Sequence, residues 1–154
     1  MTTTTANLYH PATPQQIDRM LKAYVHCARW SSSDTPPPFE DIDGNPIVVR
    51  EVELDQYEGE MDYESLQRMR ADCEEFLAKA CEDFRFAALF VAGQFDITQI
   101  AHDLWLTRND HGAGFWDRND DVYPEPIRDL LTDLARRAGE RSLYIGDDGL
   151  VHQA

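Results

Sequence analysis

Residues 102–118 read His-Asp-Leu-Trp-Leu-Thr-Arg-Asn-Asp-His-Gly-Ala-Gly-Phe-Trp-Asp-Arg, and no other stretch of the chain is as dense in residues able to do chemistry. His102, Asp103, His111 and Asp117 are of types that ligate metals or move protons, and Arg108 could hold an anion. One reading is therefore a small hydrolase or metal-dependent enzyme built on His102, Asp103, Arg108, His111 and Asp117. The spacing fits no metal motif, and a hairpin over this stretch would part His102 from His111 by roughly 17–20 Å. Gly112 and Gly114 do not make a phosphate cradle, because no Gly-Lys-Ser/Thr opens a following helix. They read better as a turn residue and as room for a neighbouring ring. Other constellations fail sooner. His26 and Cys27 are adjacent on a helix, so their side chains point about 100° apart and form no dyad. Ser31, Ser32 and Ser33 lack a nucleophile-elbow context. The run from Asp41 to Val52 has glycine fourth instead of sixth and valine twelfth, which excludes an EF-hand loop. The sequence thus assigns no metal, no cofactor and no catalytic residue.

Charge offers a second chemistry. The 154-residue chain has 29 acids against 14 Lys and Arg, for a formal net charge of −15. Most of the excess lies in residues 34–66, where Arg50 is the sole base among Asp34, Glu40, Asp41, Asp43, Glu51, Glu53, Asp55, Glu58, Glu60, Asp62 and Glu64. Such a segment repels nucleic acid and anionic membranes and attracts a basic partner. The candidate partner-binding residues are Glu51, Glu53, Asp55, Glu58, Glu60, Asp120, Asp121, Asp147 and Asp148. The longest apolar run, Phe86 to Ala92, is far short of the roughly 20 residues a membrane helix needs. The N-terminus lacks the basic start and apolar core of a signal peptide, so the expectation is a cytoplasmic protein. Cys27, Cys73 and Cys81 are odd in number and lack ligand spacing, which suits buried thiols.

These residues need elements to position them. Thr13-Pro14-Gln15-Gln16 reads as a capping box opening a first helix, with Ile17, Met20, Leu21, Tyr24, Val25 and Ala28 at helical spacing. Ser31 to Ser33 and Pro36 to Pro38 end it. Residues 34–62 then form a long acidic connection, irregular and mobile except for a short edge strand through Ile47, Val48, Val49 and Val52. A second helix runs from about Tyr63 to the mid-80s, with Phe84 to Val91 as its continuation and Gly93 as its stop. Arg68–Asp72, Arg70–Glu74 and Glu75–Lys79 are spaced as exposed ion pairs on it. A short third helix starts after Asp96, with Gln99 repeating the cap pattern.

Residues 104–108 and 113–118 read as strands of a β-hairpin around Asn109-Asp110-His111-Gly112. Its register faces Trp105 to Trp116, Asp103 to Arg118 and Leu106 to Phe115. A fourth helix follows Pro124 and Pro126 and closes at Gly139 in the left-handed conformation. A second hairpin takes Leu143 to Ile145 and Leu150 to His152 around Gly146 to Gly149. The expected fold is α+β in one domain, 1–154: N-terminal helices packed on a small antiparallel sheet made by two β-hairpins flanking a helix, with a flexible segment 1–12 and the acidic connection 34–62.

The stretch His102-Asp103-x-Trp105-Leu106-Thr107-Arg108-Asn109-x-His111-Gly112-Ala113-Gly114-Phe115-Trp116-Asp117-Arg118 resembles the signature of a family of small proteins encoded by bacteriophages and other mobile elements. Tyr24-x-x-Cys27-Ala28-x-Trp30-Ser31-Ser32 and Leu143-Tyr144-Ile145-Gly146-Asp147-Asp148-Gly149 resemble the same family, so the likeness spans most of the chain. Leu104 departs from the family's usual Phe, and Asp110 from its usual Gly. The acidic connection is also longer here. The resemblance implies an accessory protein acting in the cytoplasm of a bacterial host, and it carries no activity with it. Analogy with small acidic phage inhibitors implies binding to a basic host protein or nucleoprotein complex, of the anti-CRISPR or anti-restriction kind, with nucleic-acid mimicry as one route. The alternatives are the enzyme above and a phage regulatory or structural scaffold.

Overall fold

A computed structural model describes residues 12–47 and 50–154. The fold class is α+β, as the sequence leads one to expect. Helix α1 spans Pro14–Trp30 and opens on the expected box: Thr13 Oγ1 accepts from Gln16 N, and Gln16 Oε1 accepts from Thr13 N. Of the segment 1–12, all but Ala12 lies outside the described residues.

The acidic connection is more ordered than its composition suggests. Strands β1 (Ser33–Asp34) and β4 (Val52–Glu53) pair, as do β2 (Phe39–Glu40) and β3 (Pro46–Ile47), both antiparallel. The paired residue numbers have the same sum in both ladders, so they share one register and form one interrupted arm. Asp41 turns its tip, accepting backbone N–H groups of Asp43 and Asn45. Val48 and Val49 of the expected edge strand lie outside the described residues; the strands fall on either side of them. The stretch after the arm is pinned to the body. Leu54 is fully buried, and Leu54 N donates to Ser32 O. The Arg29 guanidinium donates to the carbonyls of Leu54 and Tyr57, and Tyr57 OH donates to Gly149 O at 2.6 Å. The connection is therefore a strap anchored to the body, irregular outside its short paired strands.

Helix α2 (Tyr63–Ala80) is capped by Asp62 and stops three residues before Asp83. The Asp83 carboxylate accepts from Arg85 N and Phe86 N and starts a separate helix, α3 (Phe84–Val91), in place of the expected continuation. The apolar stripe runs across both; the side-chain cap between them divides it.

Helix α4 spans Ile97–Arg108, and this overturns the first expected hairpin. Ile97, Ile100, Ala101, Leu104, Trp105 and Arg108 recur at helical spacing and are all buried, so the period of 3.6 continues through residues that alternate only locally. Asp96 caps it by accepting from Thr98 N, whereas Gln99 turns inward to Asp103. The turn residues serve to end this helix. Asp110 N donates to Thr107 O and His111 N to Leu106 O, with Asp110 at φ 55°, the paired bonds of a Schellman closure. A single 3₁₀ turn, Phe115–Asp117, stands where the second strand was expected. Helix α5 (Glu125–Ala138) ends at Gly139 with φ 81°, and the second hairpin forms as expected from β5 (Leu143–Ile145) and β6 (Val151–Gln153). One apolar cluster runs through α1, α2, α4, α5 and this hairpin.

Candidate functional site

The 102–118 stretch folds so that most of its polar side chains bond inward. Asp103 is wholly buried on α4 and accepts from Gln99 Nε2 (3.0 Å), Tyr123 OH (3.1 Å) and the Arg118 guanidinium (2.7 Å). The expected Asp103–Arg118 pair therefore exists, made by a helix and the segment after the 3₁₀ turn instead of by two strands. Burial and the Asp103 carboxylate hold the Tyr123 hydroxyl well above the ordinary phenol range. Arg108 places four of its five donors in a similarly buried network. Its guanidinium gives hydrogen bonds to Tyr24 Oη, Asp72 Oδ2 and the carbonyls of Ala138 and Gly139, at 2.7–3.0 Å. Arg108 thus caps the C-terminal end of α5, where exposed carbonyls and the helix dipole favour a cation.

The remaining positions follow suit. Trp105 meets the Tyr24 ring edge-on at 5.4 Å and donates Nε1–H to Ser31 Oγ at 2.9 Å. Trp116 is 43% exposed, so the expected Trp105–Trp116 pair does not form. Phe115 stacks on Phe76. Thr107 Oγ1 accepts from Phe115 N, and a Cβ on Gly114 would meet that oxygen at 2.1 Å, so the second glycine is needed for close approach. Asp117 accepts from Gly114 N. Tyr24 and Ser31, from the first resembling segment, are the surfaces against which this layer packs; apolar spacing alone gave no sign of their polar roles.

The five residues of the enzyme reading are not brought to one place. Asp103 and Arg108 sit in separate buried networks, His111 and Asp117 are exposed, and His102 opens on another surface. Among the described residues no three His, Cys, Asp or Glu are grouped to hold a metal. His102, with His26, Cys27, Trp30, Leu106 and Arg118, lines a groove of about 280 Å³. The His26 and His102 rings lie 6.4 Å apart. Burial, and secondarily His26, lowers the His102 pKa from its ordinary 6.5. Burial pushes the Cys27 thiol up to about 12, which denies it a thiolate near neutral pH.

The acidic candidates are distributed differently. Glu51, Glu53, Asp55, Glu58 and Glu60 are all exposed along the strap, as are Asp147 and Asp148 at the hairpin turn. Strap and turn are neighbours: Val151 N donates to Glu60 O, Asp62 N to Val151 O, and Tyr57 reaches Gly149. Asp34 joins the arm to the same hairpin by accepting from Ile145 N at 2.7 Å. Seven of the nine carboxylates thus belong to one joined surface. Asp120 and Asp121 belong elsewhere, in the loop before α5, where Asp120 pairs with Arg128. Within the surface, Asp148 bonds His152 at 2.9 Å, and that bond holds its carboxyl below the usual range. Glu51 accepts from Ser33. Glu53, Asp55, Glu58, Glu60 and Asp147 make no side-chain hydrogen bond or ion pair among the described residues.

No family model, curated protein or solved structure matches the chain. No helix among the described residues is long and apolar enough to cross a membrane.

Proposed function

We propose that this protein is a binding protein whose strap and hairpin turn dock a basic partner. The observation that carries the reading is the joined carboxylate surface: Glu53, Asp55, Glu58, Glu60 and Asp147 are exposed, unpaired among the described residues and carried on a strap and turn that the body anchors. Carboxylates on a held backbone lose little conformational freedom on binding, and their field speeds encounter with a cationic groove. The signature layer supports the reading indirectly, because its Asp103, Arg108 and Arg118 side chains are engaged in hydrogen bonds within the fold. In its finer form, resting on the family resemblance, the partner is a nucleic-acid-binding defence complex of a bacterial host. The protein then acts in the host cytoplasm and inhibits by occupying the groove that DNA or RNA would fill.

The test is capture from bacterial lysate at low and high salt, with wild type and a variant reversed at Glu51, Glu53, Asp55 and Glu58 to lysine. A nucleic-acid-binding complex retained at low salt, released at high salt, displaced by duplex DNA and lost in the variant is the expected result. Retention that salt and charge reversal leave unchanged overturns the reading.

A further inference from the structure

The groove beside His102 uses side chains that neither the acidic surface nor the buried networks absorb. Helix α1 gives it His26 and Trp30, and α4 gives it His102 and Leu106, each pair four residues apart and so on one helical face. The two helices are held together here. Tyr24 meets Trp105 edge-on, Trp105 Nε1–H donates to Ser31 Oγ, and Cys27 Sγ–H donates to His102 O at 3.7 Å. The backbones of two packed helices thus carry two imidazoles into one space of about 280 Å³.

Neither ring is used by the fold. His26 is exposed and His102 half-buried, and neither imidazole makes a hydrogen bond among the described residues. His152 is the contrast, since its ring bonds Asp148 and approaches Asp62. A neutral imidazole keeps one nitrogen lone pair, and at 26 and 102 no protein donor takes it.

The distance between the rings has a chemical meaning. A metal ion stands about 2.0–2.1 Å from each imidazole nitrogen, which sets the two ring centres roughly 5 Å apart at a tetrahedral angle and roughly 6–6.5 Å apart when the nitrogens are trans. The His26 and His102 centres are 6.4 Å apart, with ring planes 32° from parallel. His102 is also disposed to be neutral, because burial and then the charge of His26 lower its pKa. Two protonated rings this close repel each other, and one shared cation in place of two protons removes that conflict.

We infer that His26 and His102 bind a divalent transition-metal ion across this groove, with the two imidazoles trans and water in the remaining positions. Tetragonal geometry with nitrogen and oxygen donors is that of copper(II) and nickel(II), whereas a site without carboxylate has little to offer magnesium or calcium. The exposed His26 side chain supplies the adjustment that brings its nitrogen to the ion. Neighbouring groups are otherwise engaged: Asp103 takes its donors inside the fold, and the Cys27 thiol is held on His102 O. Arg118 also lines the groove, but Asp103 matches its charge at 2.7 Å, and a net charge of −15 on the chain draws cations towards it.

The test is calorimetric titration of the whole chain with copper(II), nickel(II) and zinc, joined to electron paramagnetic resonance of the copper form. The tightest copper site should show splitting from two nitrogen ligands, bind copper above nickel and zinc, and resist a large excess of magnesium. His26→Asn and His102→Asn should each weaken copper about tenfold or more and abolish the two-nitrogen splitting, since a direct ligand counts for at least as much as a supporting contact. His26 is exposed, so H26N keeps the test valid if H102N fails to fold. His152→Asn, which removes the imidazole beside Asp62 and Asp148, should leave this site unchanged. Absence of binding, displacement by magnesium, or an affinity that H26N leaves unchanged would overturn the site. Loss of the tightest site in H152N would move it to the carboxylates of the hairpin turn and overturn it as well. Zinc binding more tightly than copper would overturn the trans arrangement.

Discussion

Asp103 and Glu53 are both carboxylates, and the fold uses them in opposite ways. Asp103 is buried and takes donors from Gln99, Arg118 and Tyr123; Glu53 is exposed on β4 and its carboxylate bonds to nothing among the described residues. The layer around α4 spends its reactive-looking residues on packing. The strap leaves its plain acids free. Density of catalytic residue types along a sequence therefore marks where polar groups are needed inside, because a buried polar group demands partners of matching type and those cluster with it.

Removing the inner carboxylate tests that contrast most severely. Asp103→Ala leaves Arg118 and Tyr123 without their acceptor, and chemical denaturation should register a loss of about 3 kcal/mol. The figure sits at the low end for a broken buried pair because the Arg118 side chain is 30% exposed and can turn to water. A loss below about 1 kcal/mol would place Asp103 with the surface acids.

A smaller effect should come from the end of α4. Asp110 holds φ 55°, a conformation costly for a residue with a Cβ and free for glycine. Asp110→Gly should therefore stabilise the protein by about 0.5–1 kcal/mol by the same assay, whereas destabilisation would mean that the Asp110 side chain makes its own contribution to the closure.

The lysine reversals at Glu51, Glu53, Asp55 and Glu58 should change folding stability by no more than about 0.5 kcal/mol each, even as they abolish partner binding. A large loss of stability would erase the distinction between the two regions.

The gentlest probe is pH. The His102 pKa is lowered in the fold, so the unfolded chain binds the proton more readily. Stability is then unaffected above the ordinary value of 6.5 and declines as pH falls below it. His102→Asn should flatten that part of the melting-temperature profile; a profile unchanged by the substitution would show that this ring does not set it.

Much of the architecture was legible. The Thr13 box, the Gly139 closure, the 143–152 hairpin and the α+β class all follow from local chemistry that tertiary packing left in place. The central hairpin was misread because Asn109-Asp110-His111-Gly112 can end a helix as well as turn a strand, and Leu104 to Arg108 is too short to separate a period of 2 from one of 3.6. The Asp103–Arg118 pair was found through the wrong geometry: opposite charges of that type seek each other whatever backbone brings them together. On the candidate surface, exposure of the acids could be read from composition. Their fixing could not, since it depends on Arg29 and Tyr57 reaching carbonyls far along the chain.

The common register of the arm has a consequence for its reach. Side chains alternate between the two faces of a strand, so trimming one residue from each limb would turn everything beyond the cut over. Trimming two from each would keep the faces and draw the tip inward by about 7 Å. The distance from the body to the Asp41 turn can thus change only in steps of that size, like the links of a chain, if the acids outside the cut are to keep facing the same way.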